Sequence, residues 1–227
     1  MTISTRRQRT RAALQEAALA VFARRGVAGA SIEEICEEGG FTRGAFYSNY
    51  GTKDDLILEI IDQEFARAVE GASGLITRRG EGEICAAPDA EGDGTEAGTA
   101  GGADEHIAVL RRALDEFDLP LTPTPATVIA QRDIELHSLR HPQLRARLDA
   151  VKARHTERLE ATVAELLSSY GARATVPMSV LIDACHACYN QAAEQAVAAA
   201  PDAPTVTIDR SILLAVLVAF IEFPQAD

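Results

Sequence analysis

Between Ser31 and Asp55 the chain places a helix-capping residue or a helix-breaking glycine every few positions, which confines it to short helices meeting at sharp angles. Ser31-Ile32-Glu33-Glu34 is a capping box: the Ser31 oxygen takes a free amide at a helix start and Glu34 reaches back. Ile32, Ile35 and Cys36 give this helix an inner face, and Gly39-Gly40 ends it, because glycine tolerates the positive φ of a sharp turn. Thr42 caps a third, short helix that reaches about Ser48, and Gly51 breaks the chain again. Thr52-Lys53-Asp54-Asp55 then opens a fourth helix, with acids in its first turn.

Longer amphipathic helices flank this segment. Leu14, Ala18, Val21 and Phe22 share one face of a helix that starts near Arg9, carries Arg24 and Arg25 in its last turn and ends at Gly26. Leu56, Ile57, Ile60, Ile61 and Phe65 form the inner face of the fourth helix. The order is long helix, short helix, glycine turn, short helix, long helix, and Ser31–Tyr50 is a helix-turn-helix.

The net charge of −12 argues against a nucleic-acid partner until the chain is divided. Residues 1–53 carry eight Lys/Arg against five acids, and the remainder carries 14 basic and 29 acidic residues. A cationic end, densest at residues 6–11, on an acidic body is the asymmetry expected when one end meets phosphates. A solvated basic tail would give the same charge count.

Within 40–53 the residue types suit duplex recognition. Gly40 lets two helices meet steeply, and Gly44 inside a short helix costs about 1 kcal/mol against Ala, which points to close approach of the backbone to something else. Phe46 belongs inside, whereas Tyr47 projects outward with its hydroxyl available to phosphate. Arg43 and Ser48 can point into a groove, and Lys53 stands at a helix start where amides and an ammonium could share a phosphate.

With Phe22, Gly26, Ser31, Ile35, Gly40, Thr42, Gly44, Tyr47, Tyr50, Lys53 and Leu56 at this spacing, residues 9–65 resemble the DNA-binding domain of the TetR family of bacterial transcriptional regulators. Cys36 and Gly39 stand where the family commonly has Ala, Phe41 where it often has Val, and Tyr50 where it often has Phe. The resemblance implies a homodimeric repressor with the third helix of each subunit in a major groove of a palindromic double-stranded operator, the half-sites about 34–36 Å apart or more. It implies DNA contacts from Ser31, Thr42, Arg43, Gly44, Tyr47, Ser48, Asn49, Tyr50 and Lys53. Arg43, Tyr47, Ser48 and Asn49 are the candidates for base edges and flanking phosphate, Thr42, Tyr47, Tyr50 and Lys53 for phosphate, and Arg6–Arg11 for the backbone or minor groove.

The whole chain reads as all α. Residues 1–51 form a three-helix DNA-binding domain, and 52–70 a connecting helix that joins reader to sensor and serves as the lever. Residues 71–103 read as an acidic, glycine-rich flexible loop, since Ile84 is the one large aliphatic from Glu81 to Glu105. Residues 104–227 form a helical effector-binding and dimerisation domain, with helices expected at 104–119, 126–140, 142–170, 177–200 and 208–223 and no convincing strand. The helices 178–199 and 208–223 are apolar on most sides, so they are expected to pair across a two-fold in the homodimer. Gln131, Glu135, His137, His155, Asp183 and Tyr189 are the candidate polar liners of an effector cavity; each residue type is more commonly surface or satisfied core.

Other signals are weaker. Cys185-His186-Ala187-Cys188 contains a CxxC without the second pair that structural zinc requires, and reads as core rather than as a redox switch. His137 and His141 have a metal-compatible spacing without a third ligand. The two acid pairs Glu33/Glu34 and Glu37/Glu38 read as solvated helix charges. No phosphate loop, nucleophile elbow or paired-carboxylate motif is present, so neither catalysis, metal nor cofactor is expected. The longest apolar run, Ile212–Ile221, is ten residues against the roughly 20 of a membrane span. No apolar core follows the basic first residues, and four cysteines are too few for a disulfide scaffold, so a reducing, cytoplasmic location is expected. The alternative is an α-helical enzyme or small-molecule-binding protein whose amino-terminal bundle is only structural.

Overall fold

The computed structural model describes residues 5–80, 101–116 and 123–223. The described elements are α1 (Thr5–Gly29), α2 (Ile32–Gly39), α3 (Arg43–Tyr47), α4 (Lys53–Gly80), α5 (Gly101–Glu116), α6 (Pro125–Arg140), α7 (Pro142–Ser169), β1 (Arg173–Ala174), α8 (Met178–Ala199), α9 (Ser211–Phe220) and β2 (Ile221–Glu222).

The chain divides into two compact units, one built from described residues of Met1–Phe65, Thr122–Ala153 and Glu194–Thr207, the other from the rest. In the first unit α6 packs along α1, and α1 on α2. Its core joins Leu14, Val21, Phe22, Ile35, Phe46, Leu56 and Ile57 of the amino-terminal helices to Ile134, Leu144 and Leu148. Burial of several such side chains at roughly 1.5–3 kcal/mol each fixes the short helices, which propensity alone could not hold. In the second unit Leu110, Leu167, Leu181 and Ile221 form a separate core, with α5 against α9.

The helix signals in the sequence have physical counterparts. The capping box closes: Ser31 Oγ accepts from the Glu34 amide, and the Glu34 carboxylate accepts from the Ser31 amide at 2.9 Å. Gly40 takes the left-handed conformation, φ 69° and ψ 30°. Thr42 caps α3, Thr52 caps the start of α4 and Thr124 caps α6, with Pro125 in its first turn.

Several boundaries differ from expectation. Helix α1 starts at Thr5, so Arg6–Arg11 lie in its first turns rather than in a tail. At Gly26, φ 70° and ψ 159° break α1 without ending it; the chain turns helical again to Gly29. Helix α4 continues through 71–80, expected as loop, because Ala72 and Leu75 are buried and their packing outweighs Gly71 and Gly74. Of the expected loop, 101–103 instead open α5 and 81–100 lies outside the described residues, as does 117–119 of the helix expected at 104–119. The last helix is shorter than expected at both ends. Asp209 bonds the Ser211 amide ahead of it, and Ile221–Glu222 pairs antiparallel with Arg173–Ala174, a short ladder reinforced by Arg173 Nε donating to Glu222.

Candidate nucleic-acid interface

Helix α3 has five residues, too few to stand alone. Phe46 anchors it, fully buried in the first core and packed edge-on to Tyr47 at 5.6 Å and tilted to Tyr50 at 5.7 Å. The anchor turns the neighbouring positions outward: Thr42, Arg43, Gly44, Tyr47 and Ser48 are exposed, Tyr47 to 50%. A Cβ on Gly44 would meet nothing nearer than Thr42 Oγ1 at 3.7 Å, so the bare backbone there faces open space rather than a neighbouring helix.

Hydrogen bonds hold the outward side chains in place. Arg43 Nη1 lies 2.8 Å from Glu33 Oε1, and its guanidinium stands over the Tyr47 ring at 5.9 Å. Contact with Tyr47 and the Glu33 charge push the Arg43 pKa up, so it stays cationic. Ser48 Oγ donates to the Ala45 carbonyl, and Asn49 Nδ2 donates to the same carbonyl. Arg7 reaches across from α1, its Nε donating to Asn49 Oδ1 and its Nη2 to the Ser48 carbonyl, both at 3.4 Å.

Several residues expected at DNA also bond within the protein. Tyr50 is 3% exposed; its hydroxyl accepts from Gln15 Nε2 at 3.1 Å, and Arg11 stacks over its ring at 4.6 Å. Arg11 is committed inward as well, to the Glu59 carboxylate and the Asn49 carbonyl. Lys53 Nζ donates to the carbonyls of Val27 at 2.6 Å and Ala30 at 2.7 Å, and burial lowers its pKa. The Ser31 hydroxyl is engaged in the capping box and Thr42 Oγ1 in capping Ala45. Residues of the second helix read as solvated acids prove to be paired: Glu33 with Arg43, Glu34 with Arg25 and Glu38 with Arg24. The Ser31 amide and hydroxyl hold the Glu34 carboxyl below its usual range.

Residues 14–60 match the family described as bacterial regulatory proteins, tetR family. The likeness covers the helix-turn-helix and parts of the helices that flank it. Over 55 residues the domain is 42% identical to the HTH-type transcriptional regulator TtgR of Pseudomonas putida, covering 24% of this chain and 26% of that protein. Over 55 residues it is 38% identical to the HTH-type transcriptional repressor SCO4008 of Streptomyces coelicolor, covering 24% of this chain and 29% of that protein. The chain thus spans about a quarter of the length of the curated relatives it matches. Two solved structures share the fold over most of the chain. Reduced E. coli NemR has a TM-score of 0.54 at 15% identity, covering 96% of this chain and 99% of that one. The fatty acid degradation regulator FadR of Bacillus halodurans has a TM-score of 0.51 at 13% identity, covering 96% and 93%.

Beyond residues 14–60, the candidate effector residues fall in different places. Gln131, Glu135 and His137 lie on α6 in the first unit, and His155, Asp183 and Tyr189 in the second. Glu135 accepts from Lys152 Nζ at 2.5 Å, and His137 stacks on His141 with centroids 4.0 Å apart. His155 is 4% exposed and Asp183 is exposed. Burial, then the neighbouring His141, lowers the His137 pKa. A surface hollow on α5, lined by Asp104, Ile107, Ala108, Arg111, Arg112 and Asp115, includes none of the six. Cys36, Cys185 and Cys188 are free thiols; burial and Cys188 push the Cys185 pKa up to about 11, which keeps it protonated and unreactive near neutrality. Among the described residues no group of three or more His, Cys, Asp or Glu could hold a metal ion, and no helix is long and apolar enough to cross a membrane.

Proposed function

We propose that the chain is a DNA-binding transcriptional regulator, a homodimeric repressor that leaves a palindromic operator when a small molecule binds its carboxy-terminal region. It acts in the cytoplasm, by binding rather than by catalysis and without a cofactor. The observation that carries this reading is the division of labour on α3: Phe46 is buried while Arg43 and Tyr47 stand outward together and Gly44 is exposed beside them. The names of the matched relatives, a transcriptional regulator and a transcriptional repressor, support the class.

Arg43 reads a base edge, with Tyr47 on the flanking phosphate. Thr42, Ser48 and Asn49 border the same surface, while Lys53, Tyr50 and Ser31 act by holding the chain around α2 and α3 in place. The dimer is supported by α9, apolar from Ile212 onward, which leaves Ile212 at 36% and Val218 at 42% exposure, with Val180 of α8 at 47%. A second copy would remove that surface from water. Release requires the effector to bind the DNA-free conformation more tightly than the DNA-bound one; a ligand that binds both equally moves nothing.

The test is fluorescence anisotropy with duplexes from DNA adjoining the gene. Tight binding that weakens steeply with salt is expected, at a mass twice that of the chain. Absence of binding to any such duplex would remove the reading in favour of a helical protein without a DNA role, and a monomeric mass at micromolar concentration would remove the dimer.

A further inference from the structure

The five residues that lead into the helix-turn-helix are gripped from two sides. Gly26, at φ 70° and ψ 159°, interrupts α1 and takes the Val27 N–H out of the helical ladder. Asp133 of α6, 106 positions away, accepts that N–H through Oδ2. The Val27 carbonyl and the Ala30 carbonyl both accept from Lys53 Nζ. Val27 is itself fully buried, so its amide group is held by a carboxylate on one side and an ammonium on the other, out of reach of water. The positive φ at Gly26 favours glycine, and a Cβ there would stand 3.3 Å from Asp133 Oδ2, a tight contact that would press on the carboxylate. The next residue after the gripped segment is Ser31, the cap of α2. Where Val27–Ala30 lies therefore decides where α2 begins and how α3 is presented.

We propose that Asp133 is a positioning residue for DNA reading: through the Val27 amide it fixes the entry of the chain into the helix-turn-helix against α6, and it touches no base itself. The proposal rests on the DNA-binding assignment above. Sequence readout needs α3 at one orientation, whereas attraction to phosphates tolerates many. Loss of the grip therefore costs operator recognition and spares non-specific binding. A residue that merely stabilised the fold would lower both together, through the folded fraction.

The probe is the duplex that the wild-type chain selects from a randomised pool, compared with a scrambled duplex of equal length. Asp133→Ala is expected to lose about tenfold or more in affinity for the selected duplex, with the scrambled duplex changed less than about twofold. Asp133→Asn, which keeps an acceptor oxygen at the same place, should recover most of the loss. If Asp133→Ala does not fold, Asp133→Glu carries the test, since its carboxylate is displaced by one methylene and should show the same selective loss. Unchanged selected-duplex affinity, or equal loss on both duplexes, overturns the positioning role while leaving DNA binding intact. Failure of the wild-type chain to select any duplex is a separate result: it defeats the DNA assignment and the positioning role together.

Discussion

Gly39 and Phe41 share one space: a Cβ on Gly39 would come within 2.9 Å of Phe41 Cδ2 and 3.2 Å of Ala17 Cβ. Set against the family resemblance, both are departures, from Ala at 39 and from Val at 41. The larger ring at 41 occupies the volume that the missing methyl at 39 leaves free, so the two departures form one fitted pair.

Gly39→Ala is therefore expected to destabilise. Helix propensity alone favours Ala by about 1 kcal/mol, but forcing a methyl against a packed ring costs about 1–3 kcal/mol. Phe41→Val should relieve part of this strain. A double-mutant cycle by denaturant unfolding should show coupling, and strict additivity would disprove the fit.

Arg43→Ala should relax recognition at one base-pair position, by about 1–3 kcal/mol of discrimination, when the selected sequences of variant and wild type are compared. Glu33 holds Arg43 in the free protein at 2.8 Å, and binding must exchange this carboxylate for DNA. Because the pair is exposed, Glu33→Gln should tighten binding by no more than about fivefold at low salt. Weaker binding by Glu33→Gln would mean that Glu33 orients Arg43 rather than competes for it.

Lys53→Met should lower stability by about 1–3 kcal/mol, because the Val27 and Ala30 carbonyls lose their donor. Tyr50→Phe should likewise cost stability, by about 1 kcal/mol, through the lost Gln15 partner. For Lys53→Met the salt slope of DNA binding should fall by less than the one unit of a full phosphate contact. Thermal melts and salt titrations read both effects; an unchanged melt with a slope reduced by one would restore Lys53 to the phosphate.

Stability should fall as the solution is acidified through the histidine range. The His137 pKa is lowered from its ordinary 6.5 by burial, then by His141 and Lys53, with Asp133 and Asp54 opposing. The unfolded chain then binds the proton more readily than the folded one, so this contribution is complete above about pH 6.5 and is lost below it, down to the lowered value. Melting temperatures from about pH 8 to about pH 5 should decline, and His137→Gln should flatten the decline. A variant with the same slope as wild type would place the effect elsewhere.

The sequence by itself determined the local events. Ser31, Thr42 and Thr52 start helices and Gly40 ends one, because a cap hydrogen bond or a positive φ depends on residues only a few positions apart. The same local spacing placed Phe46 inward and Tyr47 outward, and so made the proposed recognition surface legible. The tertiary structure alone decided what lies far apart in the chain. That Lys53 and Tyr50 face inward, that Arg11 leaves the solvent for Glu59, and that Asp133 meets Val27 are outcomes of packing. Helix periodicity says which face of a helix is apolar, not which partner lies against its polar groups. A buried carbonyl or amide takes whichever charged side chain the fold delivers, and no spacing in the sequence records that choice.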